Sequence, residues 1–292
     1  MLKYLLVLIF INTVTSRGFT ISDPDSSVDI RRLIATGAVI TVADIGLWSY
    51  YNKAWYSGNT TKMHSTDDWY NYNLNIDKIG HLHGAISLSR FSYYWLKWVN
   101  LSEKEALRYS SLAAWLLQLQ VEIYDSQYEE YGFSWGDLGA NTVGVLYPLL
   151  QYHLPFLKNV NVKVSYFPSS SYYKGHYKHL IDDYEGRTYW FTFHPYDILP
   201  VGVQKVYPEW LGLALGYGGT DIIKPGGGIN QDKNKKGTGT QEWYLSLDVD
   251  LIKLFKPDKR TFLYSFLDLL NLIHLPLPAF RFSPDGEVVF WQ

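Results

Sequence analysis

Cysteine is absent from all 292 residues. The chain therefore offers no thiol for a disulfide framework or for the acylated anchor of a lipoprotein. An excess of one charge is also missing: 26 basic and 28 acidic residues leave a formal net charge of -2. A protein that mainly binds nucleic acid needs a basic surplus, so that partner class is excluded. The familiar catalytic signatures are missing too. There is no G-x-S-x-G, no H-E-x-x-H and no P-loop. "GYGGTDIIKPGGG" is rich in glycine, but without the strand-to-helix spacing of a phosphate loop it reads as a strand end and turn.

Aromatic residues are abundant: 25 Tyr, 14 Phe and 11 Trp make up 17% of the chain. Tyr and Trp combine an apolar body with a polar tip, which suits interfaces and membrane boundaries as well as a soluble aromatic core. The amino terminus reads as a signal peptide over residues 1–16. Lys3 supplies the positive charge, "YLLVLIFINTV" the apolar region and Val14-Thr15-Ser16 the small-residue cleavage site. The apolar run is short for a bilayer span.

The expected fold is α+β: an N-terminal four-helix bundle, then a mostly antiparallel β region with one short helix. Up to residue 157 the apolar residues recur at helical spacing, with helices expected near 29–56, 75–99, 103–130 and 135–154. "LIATGAVITVADIGLW" is nearly long enough to cross a membrane and is broken by Asp44. Ser102 and Glu105 have capping-box spacing, as do Ser134 and Asp137. From residue 158 to 292 the period becomes two. "RTYWFTF" and "EWYLSLDVDL" alternate, and "WLGLALGYG" alternates large with small residues. "AFRFSPDGEVVFWQ" reads as a hairpin around Asp285-Gly286, and "TFLYSFLDLLNLIHL" as the short helix. The stretch near 224–240 is rich in Gly and Lys, has little apolar content to bury and is expected to be a mobile loop. About six strands are expected. A membrane barrel needs at least about eight, so a soluble or surface-lying sheet is favoured.

The polar residues of the helical domain carry the chemical interest. With about 100° per residue, Asp77, His81 and Gly84 share one helix face, and His83 points elsewhere. Glu122 and Asp125 lie beside an apolar stripe of the third helix. Asp137 and Asn141, four apart, lie on the fourth beside small residues at Gly136, Ala140 and Gly144. Asp77 also fits a plain first-turn acid and Asp137 a plain cap. Glu122 resists such an account. A mid-helix carboxylate beside an apolar stripe either faces solvent or has a partner, because burying it alone costs several kcal/mol.

"DKIGH", "EIYD" and "GFSWGDLGANTVG", in that order, resemble an uncharacterised bacterial family of predicted periplasmic proteins that includes YfiM. They are distantly similar to the VanZ-like membrane proteins. The resemblance runs from about Asp67 to Gly144. It implies a cell-envelope location, periplasmic or associated with the outer membrane, and marks Asp77, Lys78, Gly80, His81, Glu122, Asp125, Ser134, Trp135, Gly136, Asp137, Asn141 and Gly144 as motif positions. It implies no reaction.

Two readings stand side by side. In one, a satisfied His/carboxylate network fixes helix register in a structural or binding module at the membrane. In the other, Asp77, His81, Glu122, Asp125, Asp137 and Asn141 converge as catalytic candidates, with His81 as general base or nucleophile. The same set suits a divalent cation. The substrate would be an envelope lipid or glycan. The leader carries its own test: amino-terminal sequencing of the envelope fraction is expected to begin at Arg17, and an intact Met1 would eliminate cleavage.

Overall fold

The computed structural model describes residues 28–66, 68–69, 73–177, 179–224, 228–229, 239–282 and 288–291. The expected leader and most of the Gly/Lys-rich stretch lie outside them. Helices precede an antiparallel sheet, so the chain is α+β. The helices are α1 (Ile30–Ala54), α2 (Ile76–Trp98), α3 (Glu103–Asp125), α4 (Trp135–His153), α5 (Ser170–Tyr173), α6 (Val201–Gln204), α7 (Leu251–Phe255) and α8 (Phe262–Leu270). The main strands are β3 (Val160–Tyr166), β4 (Arg187–Phe193), β5 (Leu211–Thr220), β8 (Thr240–Val249), β9 (Ala279–Phe282) and β10 (Val288–Trp291). Short pairs are β1 (Ser65–Thr66) with β2 (Phe133–Ser134), and β6 (Ile223–Lys224) with β7 (Gly228–Ile229).

The four long helices stand where the periodicity predicts them, with one correction. The third ends at Asp125 rather than near 130, because the chain turns back and the Gly132 amide donates to the Asp125 carbonyl. Three further short helices, α5, α6 and α7, form in connections that carry no helical periodicity of their own. The compact unit that holds α1 and α3 also takes most of α2 and α4, but not their whole length. One compact unit takes Met1–Thr66 and Gly84–Leu149, the other Asp67–His83 and Leu150–Gln292, so the first turns of α2 belong with the sheet.

In the helical unit, Asp29 caps α1 by accepting from the amides of Arg31 and Arg32. Ser102 and Glu105 form the expected capping box at the start of α3. Small residues set the packing: Ala85, Ala114 and Val145, from α2, α3 and α4, form one buried cluster. Trp48 of α1 is buried against Tyr124, with ring centroids 4.0 Å apart. Yet Ile30, Ile34, Val39, Val42, Ile45 and Leu47 of the same helix are exposed. In length and composition α1 is apolar enough to cross a membrane.

The sheet runs β10-β9-β8-β5-β4-β3, antiparallel throughout. Its register stacks outward-facing rows: Val160, Phe193, Leu213 and Leu247, then Val162, Phe191, Leu215, Leu245 and Phe280. A third row on the same face is Val164, Tyr189, Tyr217, Trp243 and Phe282, and there Tyr189 and Tyr217 are buried against Ile76 at the start of α2. The alternation is as expected, but its polarity is inverted with respect to a soluble sheet. Along β8 the buried positions are Glu242, Tyr244, Ser246 and Asp248, and the exposed ones Trp243, Leu245 and Leu247. Each half-exposed Leu or Phe forgoes roughly 1 kcal/mol of burial free energy.

The inner face holds a charged cluster. Lys163 of β3 pairs with Asp248 of β8 at 2.8 Å, and its ammonium donates to the Val249 carbonyl at 2.9 Å. In a flat sheet those strands would stand about 14 Å apart. The sheet must therefore curl, and the segment Leu272–His274 closes the curl by bridging to Val164 of β3. His194 Nε2 lies 3.3 Å and His274 Nε2 3.8 Å from the Asp248 carboxylate, and all four side chains are buried. Gly212 makes room for His194: a Cβ there would fall 2.6 Å from the ring. Gly216 does the same for Trp190, at 2.8 Å.

Burial lowers the pKa of both histidines from the usual 6.5, against the opposing pull of Asp248. The unfolded chain then binds protons that the folded chain refuses. This contribution to stability is complete above pH 6.5 and is lost as pH falls below it toward the folded values. Thermal unfolding is expected to move to lower temperature between about pH 7 and about pH 5, with a weaker slope in a His194→Asn/His274→Asn variant. Equal slopes in the two proteins would refute the assignment.

Candidate functional site

The polar motif residues are divided between the two compact units, a first group in the sheet unit and a second in the helical unit. The first lies at the start of α2. The chain enters that helix through Asn73, Leu74 and Asn75, all in the left-handed region, with φ of 45°, 54° and 63°. The Tyr217 hydroxyl donates to the Leu74 carbonyl at 2.6 Å. This anchors an entry that is unfavourable for a leucine. Asp77 follows in the first turn and accepts a 2.8 Å hydrogen bond from the Tyr184 hydroxyl. Lys78 is buried between carboxylates, 2.7 Å from Asp68 and 3.6 Å from Asp77. His81 Nε2 lies 3.8 Å from Asp77, one turn away on the same face, as the spacing predicts. That distance is too long for a hydrogen bond between the two. His83 leaves this face, with Nε2 3.0 Å from the Leu272 carbonyl. Gly80 lies under the Tyr189 hydroxyl, where a Cβ would come within 2.9 Å. Burial raises the Tyr189 pKa, with the Arg187 guanidinium pulling the other way.

The second cluster belongs to α3, α4 and the strand between them. Glu122 is 1% exposed, so the carboxylate that resisted a bland account is indeed interior. Its Oε2 accepts from the Ser134 amide at 3.3 Å. Ser134 Oγ in turn accepts from the Asp137 amide at 3.0 Å, which supplies the expected side-chain cap of α4. Asn141, fully buried, accepts from Gln118 Nε2 at 2.8 Å. Asp125 accepts a 2.8 Å hydrogen bond from the Tyr56 hydroxyl, just beyond α1. Burial first, and then the Asp125 carboxylate, hold the Tyr56 hydroxyl protonated far above its ordinary range.

The structure thus brings Asp77 next to His81, and links Glu122 to Asp137 through Ser134. Asp125 and Asn141 each have their own donor. Sequence reasoning missed Asp68, Tyr184 and Tyr56. The tyrosines lie 107 and 69 positions from the acids they serve, and helical spacing carries no signal over such separations. It also missed the His194, His274, Lys163 and Asp248 group. Its one visible sign was the polar half of the β8 alternation.

A double-mutant cycle tests the Tyr56–Asp125 contact. Tyr56→Phe and Asp125→Asn are each expected to destabilise, with a coupling of about 1–2 kcal/mol in denaturant unfolding. Strict additivity would show that the contact contributes nothing.

No curated protein and no solved structure matches the chain. Residues 67–153, which hold every motif position and both α2 and α4 in full, match the family model described as "Predicted periplasmic lipoprotein (DUF2279)". Over that stretch the chain is similar to an uncharacterised periplasmic family, and with its apolar amino-terminal run this identifies an exported protein of the cell envelope.

Proposed function

We propose that this envelope protein is a structural or binding module held at a membrane, and that its motif residues fix the register of its helices. The YfiM-like and VanZ-like order of those motifs belongs to this reading, as does a membrane lipid or glycan as partner. One observation carries it: the motif acids are engaged by donors of the protein itself. Tyr184 serves Asp77, Tyr56 serves Asp125, and the Ser134 amide serves Glu122. The buried Lys78 neutralises Asp68. Groups engaged in this way keep a fold in one arrangement. The exposed apolar side of α1 supports attachment to a membrane.

A second reading, an envelope hydrolase or transferase assisted by a divalent cation, draws on the Asp77–His81 pair. A carboxylate and an imidazole facing each other across one helical turn suit a general base or a hard cation. Elemental analysis of the purified chain, paired with Glu122→Gln, separates the readings. The structural module is expected to carry no stoichiometric metal, and Glu122→Gln to lower its melting temperature. A stoichiometric cation lost in Asp77→Asn, or a Glu122→Gln protein that melts normally but has lost its phenotype, would favour the enzyme.

A further inference from the structure

The sheet unit presents an apolar exterior around a polar interior, and the exposed apolar groups are not spread evenly along it. Leu213, Leu215, Phe191, Leu245, Leu247 and Phe280 are 39–51% exposed across four neighbouring strands. No charged residue occupies an outward position in those two rows. The register places the start of β3, the end of β4, the start of β5 and the end of β8 at one end of the sheet. The connections at that end continue the apolar surface. Phe262 and Val206 are more than four-fifths exposed, with Val201, Phe255 and Phe156 over half exposed. Among the described residues, the apolar groups more than half exposed at the opposite end are Phe167, Tyr173 and Leu180.

Charge at the apolar end has a bias. Lys158, Lys205, Lys256, Lys259 and Arg260 are exposed there, against Asp197, Asp258 and the partly exposed Glu209 that pairs with Lys256 at 2.6 Å. In the third row, farthest from that end, only Trp243 and Phe282 are exposed, whereas Tyr189 and Tyr217 are buried with Ile76. Along the strand axis the surface therefore passes from a largely covered third row, through two exposed rows of Leu and Phe, to apolar short helices fringed with basic side chains. Successive rows are about 7 Å apart, so the two exposed rows with the end connections fit within one leaflet of hydrocarbon, about 15 Å deep.

We infer that this end of the sheet unit lies in one leaflet of a lipid bilayer, with its outer face against acyl chains and its basic fringe among anionic headgroups. A lipid surface fits better than a protein partner for two reasons. The apolar belt is wrapped around a curled sheet rather than gathered in one flat patch. Its basic fringe matches anionic lipid. The interior needs no lipid, because its charges are already paired. The inference deepens the membrane part of the proposed function and rests on it. It differs in assigning a second insertion surface, separate from α1.

The absence of native cysteine makes the test direct. Single cysteines replace Leu245, Phe266 or, as a water-facing control, Glu129 in the full chain, and each carries an environment-sensitive fluorophore. The proteins are mixed with phosphatidylethanolamine/phosphatidylglycerol vesicles, with and without brominated acyl chains. The labels at 245 and 266 are expected to shift to the blue and be quenched by brominated lipid, while the label at 129 does neither. Leu245→Asp/Leu247→Asp, both outward-facing, is expected to lower the vesicle-bound fraction severalfold with its circular dichroism unchanged. Failure of the unlabelled chain to float with vesicles would overturn both this inference and membrane attachment itself. Flotation with the 245 and 266 labels still in water would overturn the inference alone and leave α1 as the contact. Shielding of the 245 label without vesicles, rising with protein concentration, would assign the face to a second copy and also overturn it.

Discussion

The ion pair between Lys163 and Asp248 sets the shape of the sheet unit. Their strands are three positions apart in the order, and an amine on one can meet a carboxylate on the other at 2.8 Å only if the sheet curls. Removing two charges from water costs several kcal/mol each, and their attraction offsets that only with good geometry and further hydrogen bonds. Those are present. Lys163 also donates to the Val249 carbonyl, and His274 lies within 3.1 Å of the Leu247 carbonyl. With the interior committed to charge, the alternation of β-strands sends the leucines and phenylalanines outward. The inverted polarity follows from the polar interior.

The helical motif residues follow the same rule on a smaller scale, because Asp77, Glu122 and Asp125 each meet a donor of the protein. Lys78 lies against Asp68 and Asp77, Tyr56 against Asp125, and the Ser134 amide against Glu122. Tyrosine is well suited to this work. It fills volume like a core residue and donates one hydrogen bond without adding a charge that would itself need pairing.

Much of this was legible in the sequence, and the illegible part has a common cause. Capping boxes announced the starts of α3 and α4, because a cap is a contact between residues three apart. The place of Glu122 beside an apolar stripe required either solvent or a partner, and the structure buries it on the Ser134 amide. His83 left the Asp77 face because 100° per residue requires it. Period two announced the strands and even the thin face of β5, where Gly212 and Gly216 admit His194 and Trp190. Periodicity defines two faces of a strand but does not say which is inside. That choice depends on partners such as Lys163 and Asp248, 85 positions apart. The family resemblance marked Asp77 and Asp125, yet could not identify Tyr184 or Tyr56, which lie outside its motifs. The short helices in the connections came from local capping by Ser169 and Asp250, too brief to leave a period.

The aromatic excess now has a physical account. A polar interior specifies an arrangement but supplies little drive to form it, because buried ion pairs rarely repay their desolvation. The drive has to come from side chains that bury large areas without breaking the polar network. Trp190 is 1% exposed, stacks on His274 with centroids 4.0 Å apart, and donates its indole N–H to Ser165 at 2.8 Å. Tyr244 packs against Trp190 and donates to Glu242 at 2.7 Å, and that contact, with burial, holds its hydroxyl protonated. Trp115 donates to Thr142 in the helical unit. Leucine could supply the area in these places but not the donor, and serine the donor but not the area. A chain that encloses its charges and presents its aliphatic side chains to the surroundings has to rely on Tyr and Trp for its core. The overabundance of these residues in the sequence is thus a consequence of the inverted sheet and of the buried acids of the helices, and not an independent feature.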